Sequence, residues 1–291
     1  GGDYIMDKRT KLDLQKKATQ IRKYIIEEVF SAKSGHPGGS LSCTDIFTTL
    51  YFAEMRVDTK NPKDPNRDRF VLSKGHCAPA LYATLAVKGF FPEEDLYTFR
   101  KVDSYLEGHP NMTYVPGVDM STGSLGQGIS TAVGMALAGK IDKKDYRVYS
   151  ILGDGEIEEG QVWEAAMAGA HYKLDNLTAF VDYNGLQIDG NITDVMNPEP
   201  IADKFAAFGW NVISVDGHDH EQIKNAIETA KTVKGKPTMV VCHCVKGKGV
   251  SFMENNYAWH GTAPNQEQRD QAISELDALM AKIDKEIAEE A

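Results

Sequence analysis

The chain has 291 residues, with 32 basic against 42 acidic side chains and a formal net charge of −10, a balance that argues against a general nucleic-acid binder. Its 42% hydrophobic and 25% charged content is ordinary for a globular protein, and its length suits one large domain or two small ones with a full core. No apolar run of about 18 residues predicts a membrane span, and four cysteines with no apolar signal region at the start lead us to expect a reducing, cytoplasmic setting.

Gly1–Ile5 precede Met6 and read as an expression remnant outside the fold. Leu14, Ala18, Ile21, Ile25 and Val29 recur at helical spacing and predict a helix over about 10–33. The run Ser34-Gly-His-Pro-Gly-Gly-Ser40 breaks it, and a second helix is expected over about 42–54. Residues 58–68, rich in Asp, Asn, Pro and Lys, read as a surface loop. Arg69–Ser73 reads as a short strand ending at Lys74-Gly75-His76, with a helix over Ala78–Lys88 behind it and another over about 127–139.

From Val148 the pattern becomes strand–helix alternation. Val148–Leu152, Thr178–Asp182, Val212–Val215 and Thr238–Cys242 are apolar runs of strand length, with helices over about 159–172 and 219–233. Near-continuous apolar strands separated by helices indicate an α/β fold, a doubly wound, mostly parallel sheet with helices on both faces. Ile273, Leu276, Met280, Ile283 and Ile287 share one face of a final helix. The expected organisation is one α/β domain over 6–264 and a helical extension over 265–291.

In open α/β sheets, ligands bind outside the carboxyl ends of the strands. Gly153-Asp154-Gly155 ends one strand and Asp182-Tyr183-Asn184-Gly185 ends the next. If those strands are neighbours, Asp154 and Asn184 lie side by side as oxygen donors. With a backbone carbonyl they would leave the rest of an Mg²⁺ octahedron to diphosphate oxygens and water. An isolated Gly-Asp-Gly is more often a tight turn with a capping Asp. Here 28 residues, 156 to 183, separate Gly155 from Asn184. Strand, Gly-Asp-Gly, helix, strand and Asn-Gly at that separation resemble the thiamine diphosphate-binding motif, with Tyr183 where the family often carries Asn or Asp.

The resemblance extends to both sides. Ser34-Gly-His-Pro-Gly-Gly, Leu72-Ser-Lys-Gly-His76, Gly108-His-Pro110, Thr122-Gly-Ser-Leu-Gly-Gln-Gly128, Lys246-Gly-Lys-Gly249 and Trp259-His-Gly261 stand in transketolase order. The chain resembles the diphosphate-binding half of a transketolase. That resemblance implies thiamine diphosphate and Mg²⁺ as cofactors, with Asp154, Asn184 and the Leu186 carbonyl as metal ligands. It implies that Gly155 and Asn184 meet the diphosphate and that Gly123, Ser124 and Leu125 form a loop against the cofactor, Ser124 replacing the family's usual proline. His76 and His260 are implied near the diphosphate. His36, His109 and His260 are implied along the sugar channel, where imidazole suits hydrogen bonding to hydroxyls and proton transfer near neutral pH.

By the same resemblance Glu159 and Glu164 lie at a subunit interface linking two active sites. Trp163, Ala166, Met167 and Ala170, at helical spacing beside them, favour packing against that partner. Cys242-His243-Cys244 alternates along a strand and reads as buried packing rather than a metal site. The glutamate that activates the aminopyrimidine and the groups gripping the sugar phosphate belong, in the family, to a pyrimidine-binding domain not recognisable here. The chain therefore resembles the N-terminal subunit of a split transketolase that needs a separate C-terminal subunit, with two copies of each chain as a heterotetramer. Its reaction would be transfer of a two-carbon ketol unit between sugar phosphates of pentose phosphate pathway type. The diphosphate-binding subunit of a 2-oxo-acid dehydrogenase and a non-catalytic scaffold remain open alternatives from sequence.

Overall fold

Alternating side chains on near-continuous apolar strands must bury both faces of a sheet. In a computed structural model, which describes residues 4–290, the strands run in chain order. They are β1 (Arg69–Leu72), β2 (Val148–Gly153), β3 (Leu177–Tyr183), the two-residue β4 (Leu186–Gln187) and β5 (Gly190–Asn191), β6 (Asn211–Asp216) and β7 (Thr238–His243). Five of them pair in parallel in the order β1-β2-β3-β7-β6, and β4 pairs antiparallel with β5 as a small hairpin. Gly153 at the end of β2 stands opposite Asp182 of β3.

The helices are α1 (Lys8–Ala32), α2 (Pro37–Ser42), α3 (Thr44–Thr49), α4 (Ala78–Lys88), α5 (Gly128–Ile141), α6 (Gly160–His171), α7 (Ile192–Val195), α8 (Ile201–Ala207), α9 (His220–Thr232) and α10 (Gln266–Glu289). Phe70, Leu72, Tyr149, Ile151, Phe180 and Val240 face one core, with Ile21 of α1, Ile46 of α3, Leu81 of α4 and Ile223 of α9. Val71, Val148, Leu152, Val181, Met239 and Val241 face the other, with Ile129 of α5, Val162 of α6 and Ile201 of α8. The sheet is thus covered on both faces.

Three expectations change. The single helix over 42–54 is instead α2, α3 and a π-helical turn over Leu50–Glu54, and α2 begins at Pro37 inside the glycine run. Proline is preset for a first helical position. The hydroxyls of Ser40, Thr44, Thr48 and Thr49 each donate to the carbonyl four residues back, a habit that bends helices. Secondly, Trp163 and Ala166 do not await a partner. Trp163 packs on Phe205 and Phe208 with ring centroids 4.8 and 5.4 Å away, and the Ala166 carbonyl accepts from Trp210 Nε1 at 2.8 Å. Met167, 62% exposed, and Glu164 keep the outer face of α6. Thirdly, Tyr4, set aside with the leading residues, exchanges hydrogen bonds of 2.6 and 2.9 Å with Asn225; Gly1–Asp3 lie outside the described residues.

A capping box starts α10: Asn265 accepts from the Gln268 backbone and Gln268 from the Asn265 backbone, each at 2.9 Å. The helix lies along α1, with Ala272 and Leu276 in the first core and Lys23–Asp277 and Lys16–Asp284 ion pairs of 2.6 and 2.5 Å at its margin. Cys242 is buried in β7, and Cys244 lies so close to Gly217 that a Cβ there would fall 2.2 Å from its sulfur. No helix among the described residues is long and apolar enough to cross a membrane.

Candidate cofactor and sugar site

The carboxyl ends of β1, β2, β3 and β7 open into a cleft of about 370 Å³, within the size range of small-molecule sites. Asp154, Gly155, Asn184, Leu186, His76, Leu125, Glu159 and His260 of the expected set all line it. Parallel pairing of β2 with β3 brings Asp154 and Asn184 to adjacent strand ends. Asp154 accepts from the Gly155 N–H at 2.8 Å through one carboxylate oxygen and from the Gly185 N–H at 2.6 Å through the other. Gly185 has φ +75°, a conformation that favours glycine. Asn184 Oδ1 accepts from the Leu186 N–H at 3.1 Å, while its Nδ2 donates to Asp182 Oδ2 at 3.2 Å. The amide is therefore oriented with its oxygen on the side of Leu186.

Burial and the neighbouring Asp182 carboxylate push Asp154 up to about 7; a bound cation would favour its charged form. The donor set is carboxylate, amide oxygen and peptide carbonyl, the hard oxygens a divalent cation takes. One cation already lies on it: the buried Lys246 ammonium donates to the Leu186 carbonyl at 3.1 Å and contacts His260 Nδ1 at 2.9 Å. A Cβ on Gly155 would meet Gln187 at 3.2 Å, and Gln187 Oε1 is buried without a partner. The residues present fit a divalent cation with a diphosphate.

Four histidines converge above this floor. His36 lies 5.2 Å from His76, 6.4 Å from His109 and 5.5 Å from His260 between ring centroids, and His76 stacks on His260 at 5.3 Å. Burial, then the neighbouring His76, lowers His36 to about 4, and burial, then Lys246, lowers His260 to about 3. Burial also lowers His109. Desolvation disfavours the cationic ring. His36 and His260 are therefore neutral at physiological pH, and His36 Nδ1 is buried with no partner among the described residues.

Gly123, with φ +146°, packs so closely that a Cβ would fall 2.9 Å from the His109 ring, and a Cβ on Gly75 would fall 2.6 Å from the Gly123 nitrogen. Glycine at both positions lets the loop carrying His76, the loop of Gly123 and His109 stack. Ser124 and Leu125 are exposed on that loop just before α5. Glu159 borders the cleft, whereas Glu164 lies outside its lining on the exposed face of α6.

Sequence reasoning passed over the polar layer beneath. Asp182, fully buried, accepts from Ser42 Oγ at 2.5 Å and forms an ion pair with the buried Lys74. Glu156, also buried, accepts from the Ser73 hydroxyl at 2.5 Å, the Gly126 N–H at 3.0 Å and the Gly153 N–H at 2.9 Å. It ties the ends of β1 and β2 to the loop before α5. Lys74 and Lys246 stand inside the glycine-rich motifs, and Glu156 directly follows Gly-Asp-Gly. Charged residues in otherwise apolar, glycine-rich strand ends were the available signal.

Residues 14–282 match the family model described as transketolase, thiamine diphosphate binding domain. The chain is 49% identical to a 6-deoxy-6-sulfo-D-fructose transketolase subunit from Clostridium sp. (strain MSTE9), over 91% of this chain and 97% of that one. It is 46% identical to an apulose-4-phosphate transketolase subunit from Phocaeicola vulgatus, over 94% and 97% respectively. Human transketolase is 42% identical over 90% of this chain but only 42% of its own length. Among solved structures, Pichia stipitis transketolase in complex with sedoheptulose-7-phosphate superposes with a TM-score of 0.85 at 34% identity, over 96% of this chain and 44% of that one. Campylobacter jejuni transketolase gives 0.82 at 32% identity, over 96% and 48%. The chain thus spans nearly the whole of the subunit-sized relatives and less than half of the longer ones.

Proposed function

The chain belongs to the transketolase family as its thiamine diphosphate-binding domain, and on that premise we propose that it is the N-terminal subunit of a split transketolase. Its reaction is the transfer of a two-carbon ketol unit from a ketose phosphate to an aldose phosphate. The observation that carries this reading is the convergence of Asp154, Asn184, the Leu186 carbonyl, His76 and His260 on one cleft at the strand ends. The names of the two subunit-sized relatives, for a sulfonated and a phosphorylated sugar, support a substrate of a more specialised sugar route over the pentose phosphate pathway.

Asp154, Asn184 and Leu186 would hold Mg²⁺, with the Gly155 backbone, Asn184, His76 and His260 against the diphosphate and Gly123, Ser124 and Leu125 against the rest of the cofactor. Thiamine diphosphate, when bound, supplies the nucleophilic carbon chemistry of ketol transfer. The protein's part is to orient and to handle protons. His36, His109 and His260 act as hydrogen-bonding and proton-transfer groups for the sugar hydroxyls. Burial keeps the His36 ring neutral, so that a ring nitrogen can accept a proton. The Lys74–Asp182 pair holds the Asn184 amide from below.

The partner is a C-terminal chain with a pyrimidine-binding domain, in an assembly of two copies of each chain. Leu125 and Ile188, 37% and 61% exposed at the cleft, together with Glu159, Glu164 and Met167, form the face it would cover. We place the assembly in the cytoplasm, where its four free thiols stay reduced. The test is to mix the purified chain with its C-terminal partner, thiamine diphosphate and Mg²⁺, following mass by light scattering and turnover by a coupled assay. Turnover is expected only in the mixture. Full turnover by the 291-residue chain alone would overturn the split assignment.

A further inference from the structure

We infer that Tyr82 and Arg100 are positioning residues for the sugar chemistry, holding His36 and His109 in place from behind; the inference rests on the reading of those two histidines as groups that meet the sugar hydroxyls. Neither Tyr82 nor Arg100 lines the cofactor cleft. Each histidine directly follows a glycine, Gly35 and Gly108. Both glycines pack on one unit, built from Tyr82 of α4 and the adjoining Phe99 and Arg100. The Tyr82 and Phe99 rings meet edge to face with centroids 6.1 Å apart, and the Arg100 guanidinium carbon lies 5.5 Å from the centre of the Phe99 ring.

Tyr82 acts on the loop of His109. The residue is fully buried, and its hydroxyl donates to the Glu107 and His109 carbonyls, each at 2.9 Å, in one three-centre bond that brackets Gly108. Burial pushes the phenol well above its ordinary range, so the hydroxyl keeps its proton and stays a donor at any working pH. The His109 ring lies against Gly123. His109 is therefore held at its main chain by Tyr82 and at its ring by the loop before α5.

Arg100 ties that loop to the loop of His36. Its Nη1 donates to Ser34 Oγ at 3.0 Å, and a Cβ on Gly108 would fall 2.8 Å from the guanidinium carbon, so glycine lets the chain entering His109 rest directly on the guanidinium. On the other side Gly35, with φ +141°, closes on Phe99, whose ring would lie 3.2 Å from a Cβ there. Arg100 itself has φ +58°, a conformation uncommon outside glycine that persists where the surroundings impose it, and its N–H donates to the Leu106 carbonyl at 2.9 Å. His36 and His109 thus share one support, with their ring centroids 6.4 Å apart. A displacement of about 1 Å at reacting groups costs up to about a hundredfold in rate, so the backing that fixes this spacing bears on turnover.

The experiment uses the chain assembled with its C-terminal partner, thiamine diphosphate and Mg²⁺, with sedoheptulose 7-phosphate, apulose 4-phosphate and 6-deoxy-6-sulfo-D-fructose as donors. Tyr82→Phe and Arg100→Met should each lower kcat/KM by about tenfold, while thiamine diphosphate affinity changes by less than about twofold. In a His109→Ala background Tyr82→Phe should cost less than about twofold, because a residue that acts through His109 then has nothing to position. Nuclear magnetic resonance of the free chain with labelled histidine is the second readout. Both variants should move the ring signals of His36 or His109 and leave that of His171, at the far end of α6, in place. Circular dichroism checks that each variant folds. Unchanged kcat/KM in both variants while His109→Ala is impaired, unmoved His36 and His109 signals, or an equal loss in the His109→Ala background overturns the inference. Full turnover by His36→Gln and by His109→Ala, with ring signals still displaced in Tyr82→Phe, instead overturns the sugar-channel reading on which it rests, as does an assembly that turns over none of the donors.

Discussion

The Lys246 ammonium donates to the Leu186 carbonyl at 3.1 Å, the same oxygen assigned to the metal. Burial lowers Lys246 to about 8, so near neutral pH it still brings a largely desolvated positive charge to the diphosphate position. Charge-assisted hydrogen bonds are worth roughly 1.5–3 kcal/mol. Lys246→Met should therefore weaken Mg²⁺–thiamine diphosphate binding by about ten- to hundredfold. Isothermal titration of the assembled enzyme measures it; unchanged affinity would remove Lys246 from the cofactor's surroundings.

Asp154 is the one charged side chain in the proposed metal set, and both its oxygens accept backbone N–H groups. Asp154→Asn keeps the shape, deletes the charge and turns an amide NH₂ toward one of those donors. Cofactor affinity should fall sharply in the presence of Mg²⁺ and lose most of its metal dependence. Titrations with and without Mg²⁺ make the comparison, and an intact metal dependence would contradict the ligand assignment.

His109 rests against Gly123 at the outer edge of the histidine cluster, 6.4 Å from His36 between ring centroids. It is absent from the lining of the cofactor cleft. His109→Ala should lower kcat/KM for a ketose donor by about tenfold or more while thiamine diphosphate affinity changes little, because a transition-state contact is lost and a ground-state one is kept. Equal losses in both measurements would mean that the ring supports the loop rather than the sugar.

Two half-buried histidines should make the chain less stable in acid, against the opposite pull of Asp154, which is raised to about 7. His36 and His260 titrate near 4 and 3 in the fold but near 6.5 when unfolded. Between those values the unfolded state binds more protons at these two rings, so their contribution to stability falls as pH drops below about 6.5. The urea midpoint should be lower at pH 5 than at pH 7.5. His36→Gln, which cannot titrate, should reduce that difference, and an unchanged difference would show that other groups set it.

Much of this protein is written in local pattern. The strands at Val148, Thr178, Val212 and Thr238 and the helices at Ala78 and His220 follow from apolar runs and helical spacing, because each element must bury its own face. Gly-Asp-Gly at one strand end and Asn184 at the next could be named as partners because parallel neighbours bring their carboxyl ends together. Tertiary structure decided the rest. The helix after Gly35 divides because hydroxyls compete for its carbonyls. Trp163 turns inward because Phe205 and Phe208 offer it an aromatic surface within the chain. Lys74, Asp182, Glu156 and Lys246 form a buried polar layer under the cleft that no spacing announces. Their pairing joins residues as far apart as Lys74 and Asp182. A charge is tolerated in the core only when the fold delivers its counterpart, and that meeting is a property of three dimensions.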